Sequence, residues 1–178
     1  MGYRTLSDSC YSHIVNASLG RVDLADWLLH LTDAEYQRCS PAHIAAGTSI
    51  ADDGQRMSIQ VETIGDSLIV HQYVAELAVP HRCRMISTSD VFSCSGRTTS
   101  EVVWDLSVEP LDDESCEYIN HITATATDEF LALIERRHIT FDQVAGLQDE
   151  AYEAHNNQET PRFAESIERR ALSTDADR

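Results

Sequence analysis

The sequence predicts an α+β fold in which a curved antiparallel sheet grips one long C-terminal helix. Three observations predict it. An amphipathic helix comes early, two-residue alternation of apolar and polar side chains runs through the middle, and the last third has helical spacing. Packing one sheet face against one helix buries the apolar surface of both. Such an arrangement often encloses a cavity, so we expect an internal ligand site.

The first elements are one strand and one helix. Residues 10–17 have the composition of a strand, and Leu24, Trp27, Leu28 and Leu31 recur at helical spacing. Ser40-Pro41 indicates a turn, which places His43 on an early loop. Five further strands follow, over residues 56–63, 68–77, 82–92, 99–108 and 116–127.

The C-terminal portion is predicted to be helical. A short amphipathic helix covers residues 128–137, and Thr140 to Gln143 has the capping-box pattern that starts another helix. We expect this helix to run from Phe141 to about Glu159. Thr160-Pro161 then resembles a cap followed by proline at a first helical position, so a separate segment is expected as far as Leu172.

Length and composition indicate one domain. The chain has 178 residues, of which we assign 10–172 to the domain, 1–9 to a flexible N-terminus and 173–178 to a flexible tail. The formal net charge of −17 argues against nucleic acid and anionic membrane as partners. All 13 basic residues are arginine, which excludes Schiff-base catalysis by a lysine side chain.

The cysteines and the N-terminus predict a cytoplasmic protein. Five widely spaced cysteines include no Cys-x-x-Cys pair, which argues against a zinc ribbon or thioredoxin-like site. The N-terminus has no apolar signal run, and no stretch approaches the roughly 20 apolar residues that cross a bilayer. A reducing compartment is therefore expected.

Histidines and a glutamate on separate segments are candidate metal ligands. His155 and Glu159 are four residues apart, so they share one helix face with Val144, Gln148 and Ala151. An imidazole and a carboxylate there could bind zinc or another divalent ion. His43 could join them as a ligand or act as a general base. The alternatives are a solvated pair near a helix end and a loop histidine that binds backbone groups.

Other side chains are candidates for acid–base chemistry or substrate contact. His71 and Tyr73 share one face of their strand, and His121 lies on a later strand. We predict these three as catalytic residues, with packed or surface positions as the alternative. Tyr36 and Tyr118 are candidates for aromatic cavity walls that bind substrate.

The stretch 22–30, followed by Tyr36 and Ser40-Pro41, resembles the START-like helix-grip superfamily, also called SRPBCC or Bet v 1-like. The similarity covers roughly residues 10–172. It implies a cavity for a hydrophobic or aromatic small molecule. Polyketide cyclases and lipid-transfer proteins are among the functions found on this fold.

Within that superfamily, the chemistry is similar to that of the zinc-dependent diacetylphloroglucinol hydrolases. Tyr36, Pro41 and His43 resemble their tyrosine, proline and histidine after the first helix, and His155 with Glu159 resembles their C-terminal pair. A strand carboxylate completes the site in that family, and Glu62 is the best counterpart. The resemblance implies one divalent metal, with zinc favoured and iron or manganese as alternatives.

Three functions follow from these patterns. The favoured one is a metal-dependent hydrolase or lyase that cleaves a carbon–carbon bond of an aromatic or polyketide-like substrate. The second is a metal-free polyketide cyclase, aromatase or dehydratase in which His71, Tyr73 or His121 moves protons. The third is a non-catalytic carrier of an apolar ligand. A homodimer formed through a sheet edge is compatible with all three.

Overall fold

The computed structural model of the chain describes residues 4–173 and has seven strands and four α-helices. The strands are β1 Thr5–Val15, β2 His43–Ile50, β3 Arg56–Ile64, β4 Ser67–Val79, β5 Arg82–Ser93, β6 Gly96–Pro110 and β7 Cys116–Ala126. The helices are α1 Leu24–Leu29, α2 Asp33–Cys39, α3 Asp128–Arg136 and α4 Phe141–Leu172, with a 3-10 turn at Leu19–Arg21. The predicted α+β helix-grip architecture is confirmed.

All seven strands form one antiparallel sheet in the order β1-β7-β6-β5-β4-β3-β2. The strands from β2 to β7 follow one another as hairpins, while β1 crosses over to pair with β7. Gly65 lies in the turn before β4 and Gly96 is the first residue of β6, and their φ angles of 57° and 124° are easiest for glycine. The sheet curves around α4, so its concave face and this helix enclose the interior.

The C-terminal half of α4 forms the centre of the core. Phe163 is 1% exposed and packs against Trp27 of α1 and Trp104 of β6, with ring-centroid separations of 5.3 Å and 5.8 Å. Ile167, one turn later, is equally buried. The N-terminal half of α4 is only partly covered, and Leu147 is 70% exposed. The firmly packed half therefore fixes the helix relative to the sheet.

Side-chain caps start the α-helices. Asp23, Thr32 and Thr127 accept hydrogen bonds from backbone N–H groups in the first turns of α1, α2 and α3. Thr140 and Gln143 form the predicted capping box at the start of α4.

Three element predictions need correction. β1 starts at Thr5 rather than residue 10 because its pairing with β7 continues to Thr5 opposite Thr125. β2 was missed, and His43 is its first residue rather than a loop residue. α4 is continuous through Pro161, and no second helix begins there. The hydroxyl of Thr160 donates to the Asn156 carbonyl at 2.6 Å, inside the helix, instead of capping a new one.

On β3 the usual assignment of apolar side chains to the interior is reversed. Ser58, Gln60 and Glu62 are buried against the helix, whereas Met57 and Ile59 lie on the outer face, half-buried. The sheet therefore carries polar groups into the interior.

Residues 1–3 and 174–178 of the predicted flexible termini lie outside the described residues. Between residues 4 and 173, no helix combines the length and hydrophobicity needed to span a membrane.

Candidate metal centre

Two histidines and two glutamates from three elements meet in the interior. His43 begins β2, Glu62 lies on β3, and His155 and Glu159 lie on α4. Their exposed fractions are 4–7%, and one potential ligand atom from each lies within 4.8 Å of the others. These are the four residues predicted as metal ligands. The structure brings them together, whereas metal binding itself remains a proposal.

The facing atoms are the two Nε2 atoms and the two Oε2 atoms. His43 Nε2 lies 3.1 Å from Glu159 Oε2 and 3.4 Å from Glu62 Oε2. His155 Nε2 lies 3.0 Å from Glu62 Oε2 and 3.3 Å from Glu159 Oε2. Each nitrogen therefore contacts both carboxylates, so that nitrogen and oxygen atoms alternate around the centre of the cluster.

The orientation of His43 presents Nε2 to the cluster. Its ring stacks on Tyr36 with a centroid separation of 3.8 Å, and its Nδ1 lies 2.7 Å from the Tyr36 carbonyl oxygen. A carbonyl only accepts hydrogen bonds, so Nδ1 carries the proton. In the neutral ring Nε2 then has a free lone pair, which is the form that binds a metal.

The buried Nε2 of His155 has ion-pair partners but is orphaned of hydrogen bonds. It is fully shielded and lies 3.0 Å and 3.3 Å from two carboxylate oxygens, yet it makes no hydrogen bond among the described residues. The distances suit a hydrogen bond, but the directions do not. An ion at the centre of the cluster would bind this nitrogen directly.

Without an ion, a proton on His155 offsets one of the two carboxylate charges of the cluster. Burial lowers the pKa of His155, but the charges of Glu159 and Glu62 outweigh it and raise that pKa to about 11. Burial raises the pKa of Glu62, while His155 and His71 hold it well below its ordinary value. The pKa of Glu159 is also lowered, by His155 and His43 against the effect of burial. Both carboxylates are therefore ionised at neutral pH.

The nitrogen–oxygen separations fit a divalent ion such as zinc. Ligands about 2.1 Å from a zinc ion at tetrahedral angles lie about 3.4 Å apart. The four nitrogen–oxygen contacts measure 3.0–3.4 Å. Two imidazoles and two carboxylates are a donor set that suits zinc, with iron or manganese as alternatives.

A second set of side chains contacts the cluster. The Tyr36 hydroxyl donates to Glu62 Oε2 at 3.0 Å, so this predicted substrate-binding residue supports a candidate ligand instead. His71 Nε2 donates to Glu62 Oε1 at 2.8 Å. Asn120 Nδ2 lies 3.2 Å from Glu159 Oε1. Sequence reasoning missed Asn120, and its only signal was its position in the alternating pattern of β7.

The remaining candidate residues are divided between the interior and the surface. Tyr73 is buried and stacks on His71 with a centroid separation of 4.9 Å. Tyr118 is fully buried, and its hydroxyl has no partner among the described residues. His121 is turned away from the cluster, because Asn120 takes the inward position on β7. Its half-exposed side chain lies 2.6 Å from Asp8 Oδ1, so the structure does not place it in the interior.

A cavity of about 750 Å³ opens beside the cluster, between α3, the N-terminal half of α4 and two hairpin turns. None of the four clustered residues lines it, but Ile64 lies two residues after Glu62 on the same face of β3, and Ala151 lies one helical turn before His155. Apolar side chains predominate in its wall: Ile64, Val91, Phe130, Leu133, Ile134, Ile139, Val144 and Leu147. Asp66 is the sole charged residue among those described in the wall.

Comparison with solved structures identifies the fold. The Zhui aromatase/cyclase from Streptomyces sp. R1128 superposes with a TM-score of 0.69 at 11% identity, covering 93% of this chain and 96% of that one. A START superfamily protein from Mycobacterium smegmatis gives 0.51 at 13% identity, with coverages of 92% and 96%. The chain has the START-like helix-grip fold.

A third structure extends the range of START-like proteins that this chain resembles. Norcoclaurine synthase from Thalictrum flavum has a TM-score of 0.52 at 15% identity and covers 97% of both chains. No protein-family model matches the sequence, and no curated protein matches it either. The likeness at such low identity establishes architecture, and function must be argued from the interior of this START-like domain.

Proposed function

We propose that this START-like chain is a metal-dependent hydrolase or lyase that cleaves a carbon–carbon bond of an aromatic or polyketide-like small molecule. The observation that carries the proposal is the buried cluster of His43, Glu62, His155 and Glu159. In proteins, carboxylates are rarely buried together unless they are paired or coordinate a metal. The orphaned Nε2 of His155 supports an ion at this position.

These four side chains would hold the ion, and two neutral imidazoles with two carboxylates would balance its charge. Because the protein already offers four ligand atoms, a substrate carbonyl would bind as an additional ligand, and a bound divalent ion would supply Lewis-acid polarisation of it. The protein keeps bulk water away from this point, since all four residues are at least 93% buried. Electrostatic interactions are stronger in such a shielded site than in water.

Tyr73 on β4 and Tyr152 on α4, both buried, are the candidate proton donors. Burial raises the pKa of both hydroxyls, and the charge of Glu62 raises each further. Both phenols therefore remain protonated at neutral pH. Each can donate its proton to a substrate oxygen or to the aromatic ring carbon whose bond to the acyl group breaks. In hydrolysis of an acyl-substituted phenol, water supplies a hydroxyl group to the acyl carbon and a proton to the ring carbon.

The cavity supports an uncharged, largely apolar substrate. Its volume of about 750 Å³ lies within the usual range of small-molecule sites, and its wall is mostly aliphatic or aromatic. No basic residue is found in the described wall, so a carboxylate or phosphate on the ligand would lack a counter-charge. A formal net charge of −17 also repels anionic ligands.

A metal-free polyketide cyclase or aromatase is the second candidate. It is favoured by the similarity to the Zhui aromatase/cyclase, which extends over 93% of this chain. In this case His71 and Tyr73, which stack on the concave face of the sheet, would move protons while the cavity folds a reactive chain. A carrier would bind an apolar ligand tightly without turnover.

An acyl-phenol hydrolysis assay separates these functions. Zinc-loaded protein, chelator-treated protein, Glu62→Gln and His155→Ala would be incubated with mono- and diacetylated phloroglucinol, and products followed by liquid chromatography with mass detection. His13→Ala, at an exposed position on β1, is the matched histidine control. We expect turnover in the loaded protein and the control, and at least about a hundredfold loss in the other three, on the scale of a lost electrostatic catalyst.

Turnover that survives chelation and His155→Ala would contradict the metal-dependent mechanism. Cyclisation of a poly-β-ketone substrate by metal-free protein, lost in His71→Phe, would instead support the cyclase. Saturable binding of the phenols without any product would support the carrier.

A further inference from the structure

The two candidate carboxylate ligands divide their oxygens in the same way. Glu62 and Glu159 each point Oε2 at the histidine nitrogens of the cluster. Their Oε1 atoms point outward, where His71 Nε2 lies 2.8 Å from that of Glu62 and Asn120 Nδ2 lies 3.2 Å from that of Glu159. Each glutamate thus directs one oxygen at the centre, which in Glu62 also accepts from the Tyr36 hydroxyl, and has the other held by a buried polar side chain.

His71 is itself held firmly. It is 1% exposed, its Nδ1 lies 2.8 Å from the Ser89 hydroxyl, and its ring stacks on Tyr73. Because a carboxylate only accepts hydrogen bonds, Nε2 carries a proton and donates it to Glu62. Ser89 in turn lies 2.9 Å from the Ser87 hydroxyl. This chain of hydrogen bonds fixes the orientation of the ring.

Asn120 is held from both sides as well. Its Oδ1 accepts from Trp104 Nε1 at 2.7 Å, and its Nδ2 contacts Asn156 Oδ1 at 2.6 Å in addition to Glu159. Because Oδ1 accepts from Trp104, the orientation of the amide is fixed, and its Nδ2 faces Asn156 and Glu159. Asn120 is fully buried, so rotating it would break several shielded hydrogen bonds at once.

We propose that His71 and Asn120 are positioning residues that keep Glu62 and Glu159 as one-oxygen ligands and thereby favour zinc over manganese. The inference rests on the proposed metal-dependent function. With both Oε1 atoms occupied, the four residues offer four ligand atoms, which is the number that zinc prefers. If an Oε1 atom were released, that carboxylate could chelate with both oxygens, which suits ions of higher coordination number.

The test measures metal affinity rather than activity. Zinc and manganese dissociation constants would be measured by competition with chromophoric chelators for the wild type, His71→Phe, His71→Gln and Asn120→Ala. Phenylalanine keeps a ring that can stack on Tyr73 but has no hydrogen-bond donor for Glu62. Glutamine has a side-chain N–H that can take the place of the Nε2 donor of His71. The exposed variant His121→Phe is the matched control.

We expect His71→Phe and Asn120→Ala to weaken zinc binding by about 10- to 100-fold, as loss of an outer partner of a metal ligand usually does. Manganese binding should weaken much less, so the zinc-to-manganese affinity ratio falls. His71→Gln should recover part of the zinc affinity, and His121→Phe should match the wild type. If His71→Phe does not fold by circular dichroism, His71→Gln and Asn120→Ala still provide the comparison.

Two results would overturn the positioning role. Zinc affinity within about threefold of the wild type in His71→Phe and Asn120→Ala would show that the outer partners have no influence. Equal weakening of zinc and manganese would indicate general loosening of the interior. In both cases the wild type still binds metal, so the proposed function survives. Failure of the wild type to bind either ion would instead remove the proposed function and this inference with it.

Discussion

His155 Nε2 lies 3.0 Å from Glu62 Oε2, yet this nitrogen makes no hydrogen bond among the described residues. The same nitrogen lies 3.3 Å from Glu159 Oε2, so it is directed between two carboxylates rather than at either one. A proton can satisfy one oxygen at a time, whereas a cation at the centre contacts all of them. This relationship is the main physical reason for proposing a metal.

Loss of the Tyr36 hydroxyl should weaken the cluster without removing any ligand. In Tyr36→Phe the ring still stacks on His43, but Glu62 Oε2 loses a donor at 3.0 Å. We expect zinc affinity to fall about tenfold and the free energy of unfolding to fall by about 1 kcal/mol. Chelator competition and urea unfolding measure the two effects, with Tyr11→Phe as the control. Unchanged zinc affinity would show that Glu62 needs no support from Tyr36.

Metal loading should stabilise the folded chain. An ion that binds only the folded state, at a hundred times its dissociation constant, adds about 2.7 kcal/mol to the free energy of unfolding. For a domain of this size the midpoint of thermal unfolding should rise by roughly 5–10 °C. Differential scanning calorimetry would show the rise with zinc, its reversal with chelator and its absence in His155→Ala. A rise of the same size in His155→Ala would place the bound ion elsewhere.

Filling the cavity should impair substrate binding while leaving the metal in place. Val144 lines the cavity from α4, so Val144→Trp would occupy part of its volume of about 750 Å³. We expect KM to rise on the order of tenfold, because the ligand and the indole compete for the same apolar space. Zinc content should stay at the wild-type value. Exposed Glu150→Trp is the control on the same helix, and a similar rise in KM there would show that the cavity does not take the substrate.

Asp105 should contribute to stability at mildly acidic pH. Burial raises its pKa, but hydrogen bonds from Arg82 and Arg84 outweigh this and hold the pKa below the ordinary value of 3.8. The stabilisation is therefore present above pH 3.8 and is lost as the pH falls through the lower pKa of the folded state. Urea unfolding between pH 2.5 and 6 should show a shallower decline in Asp105→Asn. Parallel curves for the two proteins would mean that the ion pairs contribute nothing.

The fold could be predicted from the sequence because local signals agreed with one another. The strand patterns of β3 to β7 and the capping box at Thr140 indicated elements that the structure contains. β2 was missed because Ala45, Ala46 and Gly47 give it little strand character. Its place is fixed by pairing with β3, a contact between distant residues that no local pattern reveals.

The candidate site was only partly predictable. His155 and Glu159 could be paired from their helical spacing, but Glu62 was identified through a family resemblance, since alternation alone does not say which face of a strand is buried. On β3 the rule that apolar side chains face inward would have given the wrong face, because Glu62 points inward. His121 was a candidate catalytic residue with a packed or surface position as the alternative, and the structure gives it a half-exposed position one residue after the inward-facing Asn120. That the cluster binds metal stays a prediction.

Elemental analysis of the purified protein tests the metal centre most directly. Wild type, Glu62→Gln, His155→Ala and the surface control His121→Ala would be reconstituted with zinc, dialysed and measured by inductively coupled plasma mass spectrometry. We expect about one zinc per chain in the wild type and control and little in the other two, because each of those lacks one of four ligands. A wild-type protein that retains no zinc, iron or manganese after reconstitution, or a His155→Ala protein that retains as much as the wild type, would contradict the proposed centre.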